Sequence, residues 1–148
     1  MTDRDYMRCA LREAALAAAE KEIPIGAVLV WKDSIIAAAH NRRENENDST
    51  AHAEIRVLQE ASKKLGRWRL TGCTLYVTIE PCPMCAGALI NARISRLVYG
   101  ADDPKAGAVR SLFHLLDSPA LNHHLSVQRG VLEEECRSLL KQFFENRR

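Results

Sequence analysis

Two short stretches hold the residues best suited to chemistry: Thr50-Ala51-His52-Ala53-Glu54 and, about thirty residues further on, Glu80-Pro81-Cys82-Pro83-Met84-Cys85. Together they supply one imidazole, two thiolates and one carboxylate, the donor set of a catalytic zinc with a proton carrier beside it. Cys82 and Cys85 are three apart at an expected helix start, so their sulfurs face one side about a turn apart. The positive partial charge of a helix N-terminus favours thiolate over thiol and makes both better ligands. His52 stands near the start of its own predicted helix. If the two helix starts meet at one edge of a sheet, three ligands leave a tetrahedral ion one open position, the mark of a catalytic site. Such an ion lowers the pKa of its bound water from about 15.7 to about 7. Glu54 is then the carboxylate that moves the proton. Residues two apart on a regular helix do not share a face, so this assignment requires both His52 and Glu54 in the first turn.

Plainer readings compete at each position. A Cys-x-x-Cys alone is often redox-active or incidental, and a His-x-Glu alone carries little. Cys73 offers a fourth ligand that would close the site into a structural one, but it opens a predicted strand and leaves Glu54 without a task. Cys9 and Cys136 fall on apolar helical faces and read as core residues. His123-His124 lack a thiolate or carboxylate partner at metal-binding spacing and read as exposed loop histidines.

The elements that must position these groups follow from periodicity. Met7, Ala10, Leu11, Ala14 and Ala18 predict a helix over 3–21, with Thr2 as its cap. The unbroken apolar run 27–31 predicts a strand covered on both faces and central in its sheet, and a polar turn at 32–34 leads into a second strand over 35–39. An all-polar loop follows over 41–49. Ile55, Leu58, Ala61 and Leu65 predict a helix from Thr50 to about Lys64, ended by Gly66. The β-branched and aromatic run 74–79 predicts a strand. Pro81 is placed to open a helix over 82–92, and 94–99 reads as a strand parallel to the previous one, a βαβ unit. A loop over 100–109, a short helical piece over 111–116, a short strand over 125–128 and a C-terminal helix striped by Leu132, Cys136, Leu139, Leu140 and Phe143 complete the chain. The sum is an α/β fold, a three-layer α/β/α sandwich on a mixed sheet.

At 148 residues, the chain is expected to form a single domain, 1–148, with a core that needs no disulfide staple. The 47% hydrophobic and 27% charged composition excludes extended disorder, and no run approaches a membrane span. The acidic N-terminus lacks the basic flank and apolar stretch of a signal peptide, so a cytoplasmic location is expected. Five cysteines is an odd number, which favours metal binding or free thiols over a disulfide framework. A net charge of +2 neither demands nor excludes a nucleic-acid partner. Arg42-Arg43, Arg67-Trp68-Arg69 and Arg147-Arg148 are the local clusters that phosphate contact would use.

The pair H-x-E and P-C-x-x-C is the established signature of zinc-dependent nucleobase deaminases, the cytidine/deoxycytidylate deaminase superfamily. Ile23-Pro24-Ile25-Gly26-Ala27-Val28, Pro81-Cys82-Pro83-Met84-Cys85-Ala86-Gly87-Ala88, Gly100-Ala101-Asp102-Asp103-Pro104-Lys105 and the tail from Phe143-Phe144 to Arg147-Arg148 narrow the likeness. Over nearly its whole length the chain resembles the bacterial tRNA-specific adenosine deaminases. The resemblance implies a cytidine-deaminase-like fold, a homodimer, and hydrolytic conversion of the wobble adenosine to inosine in a tRNA anticodon stem-loop, typically that of an arginine tRNA. It implies one zinc per subunit on His52, Cys82 and Cys85, with Glu54 as general acid and base. It implies substrate or RNA contacts by Asn41, Ala53, Asp103, Lys105, Phe144, Arg147 and Arg148. The competing functions are a deaminase of free bases or nucleosides, such as cytosine or guanine, and an inactive zinc-stabilised RNA-binding subunit.

Overall fold

The computed structural model describes residues 1–147, and Arg148, implied above as an RNA contact, lies outside the described residues. The elements run α1 (Asp3–Ala19), β1 (Gly26–Trp31), β2 (Ser34–His40), α2 (Ala53–Leu65), β3 (Thr74–Ile79), α3 (Pro83–Asn91), β4 (Arg96–Ala101), β5 (Ser126–Gln128) and α4 (Glu133–Asn146). The strands form one mixed sheet in the order β2-β1-β3-β4-β5. β1 is antiparallel to both β2 and β3, whereas β3, β4 and β5 run parallel.

Alternation along β1 assigns its side chains to two cores. Val28 and Val30 pack with Tyr6, Met7, Tyr76, Val98 and Cys136 on the face covered by α1 and α4. Ala27 and Leu29 pack with Val57, Leu75, Val77, Leu89 and Leu97 on the face covered by α2 and α3. This is the expected α/β/α sandwich with β1 inside the sheet. The fit of α1 is close, because Ala10, Ala14 and Ala17 are buried and any Cβ at Gly26 would strike the Ala10 carbonyl and the Ala14 nitrogen. Thr2 caps α1 as expected, accepting from the Asp5 N–H while the Thr2 N–H donates to the Asp5 carboxylate.

Three element starts and one expected helix differ from the sequence reading for identifiable reasons, beside shifts of one or two residues elsewhere. α2 starts at Ala53 rather than Thr50 because the Asp48 carboxylate accepts from the Thr50 N–H and hydroxyl, holding 48–50 in a turn. Pro83, not Pro81, takes the first turn of α3; the residue before a proline is driven extended, and Cys82 stands at φ −75, ψ 174 as the N-cap. β4 starts at Arg96 because Arg93 ends α3 in the left-handed region at φ 62. Residues 111–116 form turns instead of a helix. The N–H groups of this segment reach back beyond a helical turn, Leu112 and Phe113 donating to the Gly107 carbonyl and Leu115 to the Ala108 carbonyl, while those of Val109, Arg110 and Ser111 are held by the Glu80 carboxylate.

Candidate metal and proton-transfer site

The N-termini of α2 and α3 meet at one edge of the sheet, with His52 and Cys82 as their N-caps. His52 Nδ1 lies 3.6 Å from Cys82 Sγ and 3.5 Å from Cys85 Sγ. Tetrahedral zinc with Zn–N near 2.05 Å and Zn–S near 2.3 Å sets ligand nitrogen and sulfur about 3.55 Å apart, so the three atoms fit that ion. Among the described residues, they are the group of His, Cys, Asp and Glu side chains arranged to hold a metal. Cys73 is buried and free and is not part of that group.

Electrostatics divides the two thiols. A hydrogen bond from Cys85 lowers Cys82 to about 4, while the same bond and burial push the Cys85 thiol up. His52 is raised, chiefly by its hydrogen bond with Cys82. Glu54 lies in the first turn of α2 and is 3% exposed. Burial pushes its carboxyl up to about 7 against the opposing pull of its own backbone N–H and of His52.

Glu54 and His52 open onto a small pocket shared with Ala53, Asn41, Arg43, Ile23 and Ile25. Asn41 is buried; its side-chain oxygen accepts from the Arg43 N–H at 3.2 Å and its amide donates to the Ile23 carbonyl at 3.5 Å. An apolar groove adjoins this pocket through Ile23 and Ile25, walled by Ile79, Pro104, Lys105 and Phe144. Phe144 is 47% exposed, off the apolar stripe of α4 as its spacing indicates. Arg147 stacks over Phe143 at 5.3 Å. Asp103 turns back on its own loop, accepting from the Lys105 and Ala106 N–H groups at 3.0 and 3.3 Å.

Other groups singled out in the sequence lie elsewhere. Arg42 is paired with Glu20 and Glu46, which leaves Arg43 as the member of that pair facing the pocket. Arg67, Trp68 and Arg69 sit toward the far end of the sheet, where Arg67 stacks over Trp31 and Arg69 over Trp68. His123 is half-buried and bonded to the Ile94 carbonyl at 2.7 Å, so only His124 is the exposed loop histidine expected. Cys136 is buried as expected, but Cys9 is half-buried beside the Arg12 guanidinium.

Two acidic residues near the site were not picked out from the sequence. Glu22, 1% exposed, accepts from the Glu44 and Asn45 N–H groups and anchors the polar loop after Asn41. Glu80, also 1% exposed, accepts from the N–H groups of Asp103, Val109, Arg110 and Ser111 and from the Ser111 hydroxyl. Burial alone would raise Glu80, but the Arg110 N–H, the Ser111 hydroxyl and the remaining donors hold it below the usual carboxylate range. The available signal was a carboxylate closing a buried apolar strand.

Comparison with known proteins agrees with this site. The MafB19-like deaminase family model matches residues 1–148. A tRNA-specific adenosine deaminase of Bacillus subtilis (strain 168) is 53% identical over 146 residues, 99% of this chain and 91% of that protein. A chain solved in structural studies of A-to-I editing by tRNA:A34 deaminases is 48% identical with a TM-score of 0.88, over 91% of this chain and 98% of that one. A Bacillus subtilis guanine deaminase structure is 32% identical with a TM-score of 0.68, over 99% of this chain and 95% of that one. With the helix caps, the sulfur pair and the neighbouring carboxylate as the fold presents them, the chain belongs to the MafB19-like deaminases and, within them, to the tRNA-specific adenosine deaminases.

Proposed function

We propose that this protein hydrolyses the wobble adenosine of a tRNA anticodon, that of an arginine tRNA first among them, to inosine. The observation that carries the reading is the triangle of His52, Cys82 and Cys85 beside a pocket that Glu54 also lines. His52, Cys82 and Cys85 hold one zinc ion. Zinc so held supplies Lewis acidity that makes water nucleophilic at neutral pH. Glu54 takes a proton from the attacking water and delivers it to the purine ring nitrogen as the C6–O bond forms; it then takes the proton of that new hydroxyl and passes it to the amine, so that the C6–N bond breaks, ammonia departs and the C6 carbonyl of inosine remains. A carboxyl near 7 suits both directions of transfer. Asn41 and Ala53 hold the flipped nucleoside, and Ile23 and Ile25 line the pocket beside it. Lys105, Phe144, Arg147 and Arg148 meet the neighbouring RNA, and the Asp103 carboxylate shapes the Lys105 turn.

The chain works as a single domain over 1–148, as a homodimer in the cytoplasm. No helix among the described residues is long and apolar enough to cross a membrane. The likeness to a guanine deaminase over 99% of the chain favours one second reading, deamination of a free base. Incubating purified protein with an anticodon stem-loop bearing wobble adenosine, and separately with free adenosine, cytosine and guanine, distinguishes them. Inosine in the RNA alone is the expected result. Conversion of a free base with the RNA untouched would establish the second reading, and no turnover by zinc-loaded protein would leave an RNA-binding subunit.

A further inference from the structure

We infer that Glu80 is a positioning residue for RNA recognition: its carboxylate fixes the 102–111 loop so that Pro104 and Lys105 wall the groove beside the target-base pocket. This rests on the tRNA reading above and names a residue that sets its selectivity.

The loop is built around that carboxylate. One oxygen accepts from the Asp103 N–H at 3.0 Å and from the Ser111 hydroxyl. The other accepts from the Val109, Arg110 and Ser111 N–H groups at 3.1, 2.8 and 2.9 Å. Gly107 faces both oxygens, and a Cβ there would collide with them, so the chain wraps the carboxylate at a distance only glycine permits. The Ala108 N–H donates to the Pro81 carbonyl at 2.8 Å and ties the loop to the segment entering α3. With its inner face fastened, the loop turns outward at 104–106, and Lys105 is exposed.

Glu80 stands between two functions without joining the chemistry. Its predecessor Ile79 lines the groove, and Cys82 lies two residues beyond it. None of its hydrogen-bond partners among the described residues is His52, Glu54, Cys82 or Cys85. Loss of the carboxylate therefore loosens the groove wall and leaves the ligand triangle and proton carrier in place.

The test is steady-state kinetics of Glu80→Gln and Ser111→Ala on the wobble-adenosine stem-loop, with zinc content measured for each. Stem-loop affinity is measured in parallel in a Glu54→Ala background. The glutamine is isosteric but turns an N–H group toward donors. KM and the dissociation constant are expected to rise roughly tenfold for Glu80→Gln, the effect of about one lost hydrogen bond, with kcat within about threefold and zinc retained. Ser111→Ala, which removes one donor and leaves the backbone cradle intact, is expected to raise KM by roughly threefold. Unchanged KM and affinity, or a fall in kcat alone, would overturn the inference. If Glu80→Gln does not fold, Ser111→Ala decides by the same criteria. A wild-type protein inert on RNA would sink the tRNA reading and this inference together; active wild type with an unshifted Glu80→Gln sinks this inference alone.

Discussion

Glu54 and Glu80 are both carboxylates almost wholly withdrawn from water, 3% and 1% exposed, at the same edge of one sheet. Their surroundings drive them in opposite directions. Glu54 sits in a helix first turn with its own N–H, His52 and the Cys85 thiol to favour a charge, and burial outweighs them and pushes it up to about 7. Glu80 receives four backbone N–H groups and a hydroxyl and is held below its ordinary value although it too is withdrawn from water. Loss of exposure alone therefore does not decide protonation; the supply of donors weighs against it. The carboxyl with fewer donors suits the proton transfer proposed for it, whereas the saturated one shapes the backbone.

Three substitutions test this contrast, in decreasing order of effect. Glu54→Gln should lower turnover on the stem-loop by about 10³-fold, the scale of a lost general acid-base group, while metal analysis finds zinc retained. Stability should stay the same or rise, since no donor network is broken; a clear drop in the urea midpoint would put Glu54 in the same structural class as Glu80. Glu80→Ala should destabilise the fold by about 3 kcal/mol in urea unfolding, because several buried N–H groups lose their acceptor together. An effect below about 0.5 kcal/mol would mean that water replaces the carboxylate and the contrast fails.

The smallest effect extends the contrast toward the surface. Asp3 accepts from Arg96 at 2.9 and 2.6 Å and from the Tyr76 hydroxyl at 2.7 Å, and the Arg96 hydrogen bond lowers its pKa. Because the folded value lies below the unfolded one near 3.8, the stabilisation is full above about pH 4 and fades as pH falls through the folded value. Asp3→Asn should cost about 1 kcal/mol at pH 7, with the difference from wild type closing below about pH 4. A difference that persists at pH 2 would trace it to packing rather than charge.

The strands were legible because β1 is an unbroken apolar run and β3 a β-branched and aromatic one, and side-chain alternation within them leaves little choice of layer. The ligand set was legible because Cys82 and Cys85 share a helix start and His52 carries a carboxylate two residues on. Helix starts were less so: Thr50 and Pro81 each have the composition of a first turn, but the Asp48 side chain and Pro83 decide locally. In place of the helix expected over 111–116, the chain turns back on the carbonyls of Gly107 and Ala108, wrapped around a carboxylate that no window of neighbours contains. Glu80, about thirty residues earlier, accepts from Val109, Arg110 and Ser111 where that helix would begin. Glu22 was hidden in the same way, since its partners lie beyond β1 and β2.

Glu22 fastens the loop after Asn41, beside the pocket, and Glu80 fastens the loop that walls the adjoining groove. Those loops lose their conformational freedom when the protein folds, so little of that entropy remains to be lost when RNA arrives. The conformational work of recognition then falls mainly on the nucleic acid, which must unstack its wobble base to enter a preorganised mould. An anticodon loop already strained or unstacked at that position has less work to do than a relaxed one, and discrimination between RNAs begins with how easily they deform.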